Sequence, residues 1–238
     1  MKCLITGHRG SIGRILNERL LQDGHQVFGV DLKDGVDCAD ISNLDSFRGV
    51  EVIFHLAAHL KHPKKNTMAA CDGILAFVKR ENAKLIYASS AAIYNPHSMY
   101  AVHKLYGEGL FMTEWPKTAI LRLFNVYGGT GFGLIDKIQR KEHIKINGSG
   151  LHKRDYVHVH DVVDAFKAAL ESDWRGIVDI GTGHSTSVLE VLQMAQWNDY
   201  EHIVQNGGVV DSQAKLNYLF PWHARQDLQT YLAEVNKR

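Results

Sequence analysis

Cysteine is scarce in this chain. Only Cys3, Cys38 and Cys71 occur among 238 residues. They are too few and too irregularly spaced to form a disulfide framework or a zinc site, so we expect no bound metal. The odd count is also typical of a protein from a reducing compartment.

Long apolar runs and an excess of one charge are missing as well. No stretch reaches the ~18 consecutive apolar residues of a membrane-spanning helix, and the apolar run after Met1 is too short for a signal peptide. The formal net charge is +1, so no surface for nucleic acid or another polyanion is indicated. We therefore expect a cytoplasmic protein with neither membrane nor nucleic-acid partners.

The first half of the chain contains a regular alternation of short apolar runs and amphipathic stretches. Strands are predicted at residues 2–6, 27–31, 52–57, 84–88 and 118–124, and helices at 11–22, 67–80 and 99–113. This β-α-β pattern predicts an α/β fold of the Rossmann type, with a doubly wound parallel sheet. After Gly128 the pattern becomes irregular, with helices near 134–140 and 161–170 and strands near 143–146, 156–159 and 177–180. Ser187 and Glu190 form a capping-box pattern, so a helix should begin there.

Three glycines lie between the first predicted strand and the first predicted helix. Gly7, Gly10 and Gly13 are spaced G-x-x-G-x-x-G. Glycine accepts the positive φ of a tight turn, lets a pyrophosphate approach the main chain, and leaves room for a helix close to a strand. The pyrophosphate would sit at the helix N-terminus, where N–H groups point at it. The pattern predicts a dinucleotide site, although a plain strand–turn–helix can carry the same glycines.

A carboxylate follows at the end of the second predicted strand. Asp31 lies 18 residues after Gly13. A carboxylate there suits the hydroxyls of the adenosine ribose and repels a 2′-phosphate, so NAD is favoured over NADP. Arg9, inside the turn, is a counter-signal because its guanidinium could reach a phosphate. Asp31 could instead serve only as a cap at the strand end.

Tyr100 and Lys104 share one face of the predicted helix at 99–113, because they are four residues apart. A nearby lysine ammonium lowers the pKa of a phenol, so Tyr100 is predicted to act as a general base. Ser90 follows the fourth predicted strand, at the sheet edge where α/β proteins bind ligands. It can hydrogen-bond the same substrate oxygen as Tyr100. The structural alternatives are a surface Tyr–Lys pair and a serine that caps a turn.

Six short motifs occur in order along the chain, from residue 2 to about residue 192. They are the turn at 6–13, His55-Leu56-Ala57-Ala58, Tyr87-Ala88-Ser89-Ser90-Ala91-Ala92-Ile93-Tyr94, Tyr100-Ala101-Val102-His103-Lys104, Leu121-Arg122-Leu123-Phe124-Asn125-Val126-Tyr127-Gly128 and Arg154-Asp155-Tyr156-Val157-His158-Val159-His160-Asp161. Together they resemble the extended short-chain dehydrogenase/reductase family, in its NAD-dependent nucleotide-sugar epimerase/dehydratase branch, which includes the UDP-hexose 4-epimerases.

The resemblance implies a role for each matched residue. Ser90 matches the family's catalytic Ser/Thr, Tyr100 its catalytic base, and Lys104 the lysine that binds the cofactor ribose. The positions that match cofactor contacts are Gly7, Arg9, Gly10, Ile12, Gly13, Asp31, Asp40, Ile41, Leu56, Ala57 and Ala58, besides Tyr100 and Lys104. Asn125 and Arg154, with Ser90, match substrate-binding positions near the sugar and the nucleotide diphosphate. Arg154 could instead form a surface ion pair.

The same resemblance implies that the two parts of the chain have different functions. Residues 1–128 are expected to form a dinucleotide-binding Rossmann core that carries the catalytic Ser, Tyr and Lys. Residues 129–238 are expected to form mostly a small substrate-binding lobe, with some segments that return to the core. Relatives commonly dimerise by packing two helices from each subunit, so a homodimer through the helices at 67–80 and 99–113 is expected.

The residues after Ser90 narrow the expected reaction. Dehydratases of this branch carry Thr-Asp-Glu there, whereas this chain has Ser90-Ala91-Ala92. Without the acid pair, the resemblance favours an NAD-dependent nucleotide-sugar epimerase that acts at C4 through a transient 4-keto sugar. An NAD(P)H-dependent reductase of a keto sugar is the enzymatic alternative. A non-catalytic dinucleotide-sensing protein is the alternative from another class.

Two departures from the family leave the substrate open. Tyr100 comes only ten positions after Ser90, where relatives have a longer loop that lines the sugar site. Relatives also carry an arginine that helps to hold the nucleotide, and the segment at 205–211 has none. We therefore expect a substrate that is smaller or anchored differently.

Overall fold

The computed structural model describes residues 1–58, 66–129, 131, 133–204, 211–235 and 237. The chain divides into two compact units, called the first and the second unit below. The first consists of Met1–Arg122 and Phe166–Val178, and the second of Leu123–Ala165 and Asp179–Arg238. In chain order the elements are β1 (Lys2–Thr6), α1 (Ser11–Gln22), β2 (Gln26–Val30), β3 (Val52–His55), α2 (Asn66–Glu81), β4 (Lys84–Ser90), α3 (Met99–Glu114), β5 (Thr118–Leu123), β6 (Asn125–Tyr127), α4 (Leu134–Gln139), β7 (Ile144–Asn147), β8 (Lys153–His158), α5 (Val159–Glu171), β9 (Gly176–Ile180), β10 (Ser185–Ser187), α6 (Val188–Met194), β11 (Tyr200–Ile203) and α7 (Leu228–Val235).

The described residues form a parallel sheet of six strands in the order β2-β1-β3-β4-β5-β9. The chain runs from β1 to β2 at one edge and then returns to the other side of β1 for β3. The strand order therefore reverses beside β1. In sheets of this type, ligands bind outside the carboxyl ends of the strands at such a reversal. The predicted doubly wound Rossmann fold is confirmed.

Side chains on the central strands alternate between two packed faces. On β3, Ile53 belongs to a buried cluster that includes Ile74 and Phe77 of α2. Its neighbour Phe54 points the other way, and the ring centroids of Phe54 and Phe166 are 6.2 Å apart. Because both faces are covered, the strands read as continuous apolar runs, as expected for a parallel sheet.

The second unit contains a three-stranded sheet in the order β10-β8-β6 and a two-stranded pair of β11 and β7. The first segment of the first unit ends at Arg122, before the expected boundary at residue 128, and β6 pairs with β8 in the second unit. The strand predicted at 156–159 instead runs over Lys153–His158, since its polar first half is paired with β10. The predicted helix start is confirmed, because Ser187 and Glu190 form a complete capping box. No described helix is long and apolar enough to cross a bilayer.

Candidate active site

The glycine turn after β1 is packed so closely against neighbouring main chain that Gly7 and Gly13 have no space for a Cβ. Gly7 has φ +74°, and a Cβ there would lie 2.9 Å from the Ala57 nitrogen. A Cβ on Gly13 would collide with the Gly7 carbonyl oxygen and lie 2.8 Å from the His8 Cα. Gly10 caps α1 without a side-chain hydrogen bond. A bare main chain at a helix N-terminus is a cradle that fits a pyrophosphate.

Asp31 lies directly after β2 and faces this turn. Its Oδ2 accepts a hydrogen bond of 3.1 Å from the Arg9 main-chain nitrogen, and its Oδ1 accepts one of 2.9 Å from the Lys33 nitrogen. Asp31 is thus the cap of a short 3₁₀ helix, Leu32–Asp34. A carboxylate accepts about four hydrogen bonds, so this cap leaves acceptor capacity for ribose hydroxyls.

The chain that follows β3 is pinned beside the turn by Thr6. The Leu56 nitrogen donates to the Thr6 carbonyl at 3.1 Å, and the Ala57 nitrogen donates to its Oγ1 at 3.3 Å. These contacts hold two of the predicted cofactor-binding residues at the end of β1, and Ala58 follows directly in the chain. Ile12 is partly buried on the first turn of α1.

Asp40 and Ile41 lie where a second 3₁₀ helix begins. The Asp40 carboxylate caps this helix, Ile41–Leu44, by accepting hydrogen bonds from Ser42 N at 2.9 Å and Ser42 Oγ at 2.7 Å. These two bonds lower the pKa of Asp40. Both residues lie in the first unit, as do all the predicted cofactor contacts.

Ser90, Tyr100 and Lys104 lie close together in the first unit. Ser90 is the last residue of β4. The Ser98 side chain accepts from Ala101 N at 3.2 Å and so starts α3 at Met99. This start places Tyr100 where its hydroxyl is hydrogen-bonded with Ser90. The Lys104 Nζ lies 5.9 Å from the centroid of the Tyr100 ring.

The protonation of this cluster differs from the sequence prediction. Burial raises the pKa of Tyr100, and the hydrogen bond with Ser90 only partly opposes that rise. Lys104 was expected to lower the pKa of Tyr100, but its Nζ instead donates to the Ala88 carbonyl at 2.6 Å. Burial also lowers the pKa of Lys104 to about 8, so its ammonium group loses a proton more readily than that of an exposed lysine.

A buried ion pair that was not predicted from the sequence lies next to this cluster. Glu108 follows Lys104 by one helical turn on α3, and Arg122 donates to it from Nε at 3.0 Å and from Nη2 at 2.7 Å. The Ser89 Oγ donates to the same carboxylate at 2.5 Å. Arg122 also donates to the Tyr94 hydroxyl at 3.0 Å. The four-residue spacing places Lys104 and Glu108 on one face of α3, but nothing in the sequence identifies Arg122 as the partner of Glu108.

His55 is a second buried polar group that had no predicted role. Its Nδ1 is 2.7 Å from the Thr6 Oγ1, and its ring stacks on Tyr87 with centroids 5.5 Å apart. Burial, together with the charge of Lys104, lowers the pKa of His55 to about 3, so the ring is neutral. His55 therefore connects Thr6, at the end of β1, to Tyr87 on β4.

Asn125 and Arg154 lie in the second unit on neighbouring strands, β6 and β8. Asn125 pairs with Tyr156 in the sheet, and its Nδ2 donates to the Asp155 carbonyl at 3.3 Å. The Arg154 Nη1 donates to the Lys153 carbonyl at 3.0 Å. The segment at 205–211, which lacks the family arginine, lies outside the described residues except for Asp211. Among the described residues, no three His, Cys, Asp or Glu side chains are grouped so that they could hold a metal ion.

Asp155 fixes the strand that carries Arg154. Its carboxylate is fully buried and accepts main-chain hydrogen bonds from Thr182 at 2.8 Å, Gly183 at 2.9 Å and Ala214 at 3.0 Å. Two separate segments, the turn at Thr182 and Gly183 and the chain at Ala214, are therefore tied to β8 in the second unit. This arrangement makes β8 a rigid support for its neighbouring side chains.

Comparison with known proteins supports the assignment by family. Residues 3–181 match the model of the family described as "NAD dependent epimerase/dehydratase family". A UDP-N-acetyl-alpha-D-glucosaminuronate decarboxylase from Bacillus cytotoxicus is 29% identical over 253 residues, with 81% of this chain and 78% of that protein covered. A UDP-glucose 4-epimerase from Mycolicibacterium smegmatis is 28% identical over 251 residues, with 80% of each chain covered.

A solved structure gives the same result for the fold. The UDP-glucuronic acid 4-epimerase from Bacillus cereus, in complex with UDP-glucuronic acid and NAD, superposes with a TM-score of 0.86 at 23% identity. The match covers 100% of this chain and 98% of that one. The resemblance predicted from six ordered motifs is confirmed. The chain belongs to the NAD-dependent epimerase/dehydratase family.

Proposed function

We propose that this chain is an NAD-dependent epimerase of a nucleotide sugar that inverts C4 through a transient 4-keto sugar. The observation that carries the proposal is the cluster of Ser90, Tyr100 and Lys104, placed by β4 and α3. Relatives named as 4-epimerases of UDP-glucose and UDP-glucuronate support it. One relative is named as a decarboxylase, but this chain has Ala91 and Ala92 where the acid pair of dehydratases would stand.

The glycine turn fits the cofactor. Gly7 and Gly13 leave no space for a side chain, so only main chain faces a bound pyrophosphate. Asp31 holds the adenosine ribose, and Lys104 together with Tyr100 holds the ribose next to the nicotinamide. NAD, when bound, supplies a hydride acceptor that returns the hydride within the same turnover.

The chain's own residues handle the proton. Tyr100 Oη takes the proton of the sugar C4 hydroxyl and later returns it, while Ser90 Oγ hydrogen-bonds the same oxygen. The raised pKa of Tyr100 must fall for this step, and a cation brought beside its ring lowers it. Lys104 is the residue of this chain placed to do so, since its Nζ lies 5.9 Å from the centroid of the Tyr100 ring while it donates to the Ala88 carbonyl.

The two parts of the chain expected from the sequence are assigned different tasks in this proposal. The Rossmann core, residues 1–128, binds the dinucleotide and carries the catalytic cluster, and residues 129–238 bind most of the nucleotide sugar. Asn125 contacts the sugar, and Arg154 contacts the diphosphate. The rigid sheet around β8 supports this role, because Asn125 and Arg154 lie on its paired strands.

A homodimer and a cytoplasmic location complete the proposal. Helices α2 and α3 expose several large apolar side chains, a composition that suits a helix-to-helix contact with a second copy. The side chains concerned are Met68, Met99, Val102, Leu105 and Met112. Light scattering tests the dimer, and a monomer at micromolar concentration contradicts it.

The function is tested by incubating the purified protein with UDP-, GDP- and dTDP-sugars and following two signals. These are the absorbance of reduced nicotinamide and the sugar products. An epimerase gives the C4 epimer with no net consumption of NAD. A reductase consumes NAD(P)H in proportion to product. A dinucleotide sensor changes neither signal with any sugar, and this last result contradicts catalysis.

A further inference from the structure

The guanidinium of Arg9 is engaged by an acidic residue outside the glycine turn. Arg9 Nη1 lies 2.6 Å from the Asp34 Oδ1 and donates to the Lys33 carbonyl at 3.4 Å. Asp34 is the last residue of the 3₁₀ helix that follows Asp31. The cation inside the glycine turn is therefore held by the segment after β2.

The contact between these two segments is reciprocal. Lys33 Nζ donates to the Arg9 carbonyl at 3.3 Å, and the Arg9 nitrogen donates to Asp31. The second oxygen of Asp34, Oδ2, lies 3.4 Å from the His8 Nε2. The His8 ring in turn packs against Gly29, where a Cβ would collide with it. His8 and Arg9 are thus oriented by one carboxylate, and Gly29 leaves space for this arrangement.

These contacts bear on the choice between NAD and NADP. The two cofactors differ by a 2′-phosphate on the adenosine ribose, which needs a cation as its partner. Arg9, inside the glycine turn, is a cation that could reach such a phosphate. We infer that Asp34 is a specificity-determining residue that holds Arg9 away from a 2′-phosphate and so favours NAD. The inference rests on the proposed function, because it requires that the glycine turn binds a dinucleotide.

Two roles of Asp34 can be separated. In the role that we infer, Asp34 occupies the Arg9 guanidinium. In the rival role, Asp34 is only a further negative charge beside Asp31, and it would repel a phosphate dianion whether or not Arg9 is present. The pair with Arg9 is partly exposed, with 50% of the Arg9 and 37% of the Asp34 side chain accessible. Exposed pairs of this kind are weak, so releasing Arg9 should change phosphate affinity by about fivefold. The holding role predicts that this gain requires Arg9.

The experiment measures the affinity of NAD⁺ and NADP⁺ by isothermal titration, after charcoal treatment removes co-purified nucleotide. It compares the wild type, Asp34→Asn, Arg9→Ala and the double variant. We expect Asp34→Asn to bind NADP⁺ about fivefold more tightly than the wild type does, with NAD⁺ affinity changed by less than about twofold. In the Arg9→Ala background, Asp34→Asn should give no gain. Glu142→Gln, which removes one charge from an exposed pair with Arg140 in the second unit, is the matched control and should change neither affinity.

Each result decides between the explanations. An unchanged NADP⁺ affinity in Asp34→Asn overturns the inference, and so does a gain that persists without Arg9, which would be simple charge repulsion. A wild type that binds both cofactors equally overturns it as well. In these three cases the proposed function survives, because NAD⁺ still binds. If the wild type binds neither dinucleotide, both the inference and the proposed function are wrong.

Discussion

The glycine turn and the polar face of α3 lie in the same unit, but different chemical groups form them. The turn is made of main chain, and Gly13 has no space for one more carbon. The α3 face is made of buried side chains that carry charge or titrate, among them Lys104 and Glu108, each with a partner. Substitutions in the turn should therefore disturb the structure by steric collision. Substitutions on the polar face of α3 should destabilise it because buried polar groups lose their partners.

The largest expected effect is a loss of turnover with no loss of dinucleotide binding. Tyr100→Phe removes the proton acceptor but keeps the ring that packs near Lys104. Turnover should fall by about 10²- to 10⁴-fold, while the dinucleotide still binds to the turn. Steady-state kinetics and a titration with NAD⁺ measure the two properties on one sample. Full turnover in this variant would contradict the assignment of Tyr100 as the catalytic base.

A stability test sharpens the contrast between buried and exposed charge on α3. Glu108→Ala leaves Arg122 without its carboxylate partner, with 4% of the Glu108 and 19% of the Arg122 side chain exposed. Breaking a pair this buried should lower the free energy of unfolding by about 3 kcal/mol. Urea denaturation monitored by circular dichroism measures the change.

The same helix offers a matched control for that test. Glu114 pairs with Lys79 at 2.9 Å, and both side chains are largely in solvent, with 51% and 43% exposed. Glu114→Ala should therefore cost less than about 1 kcal/mol. Equal losses in Glu108→Ala and Glu114→Ala would mean that burial does not set the strength of these pairs.

A pair of glycine variants tests whether the turn is limited by shape. Gly13→Ala places a Cβ against main-chain atoms of Gly7 and His8, which cannot rotate away as a side chain could. It should cost about 2 kcal/mol of stability and weaken NAD⁺ binding. Gly109→Ala, on α3, meets nothing within 4 Å and should stabilise by about 0.5–1 kcal/mol. A Gly13→Ala variant that is neutral in both stability and NAD⁺ binding would show that the turn is not limited by shape.

The pH dependence of stability tests the buried histidine. The pKa of His55 falls from its ordinary 6.5 to about 3 on folding. Between these values the unfolded chain binds a proton that the folded chain does not, so stability falls as pH falls from 6.5 towards 3. Each pH unit inside this window should cost about 1.4 kcal/mol. His55→Asn, which keeps a polar group near Thr6, should show a smaller slope in urea unfolding at several pH values between about 4 and 6. An equal slope in the wild type and in His55→Asn would mean that groups other than His55 cause the loss of stability in acid.

The sequence predicted the parts of this molecule that depend on local pattern. The glycine spacing, the i, i+4 pair of Tyr100 and Lys104, and the capping box at Ser187 each specify a local geometry, and each is found. The Glu108–Arg122 pair was missed because it joins a helix to a strand, and such contacts leave no local periodicity. The direction of the Tyr100 pKa was also missed, because burial depends on packing from several elements. Short elements such as β10 are stabilised by their sheet partner rather than by their own residues.

The central claim is that C4 is oxidised and then reduced within one site by Tyr100 and the cofactor held at the glycine turn. The most direct test uses a nucleotide sugar that carries deuterium at C4 and follows the product by NMR in ordinary water. We expect a product inverted at C4 that keeps the deuterium, because the hydride leaves and returns without exchange with solvent. A product that is inverted but has lost the label, or no inversion with any nucleotide sugar tested, would contradict this claim.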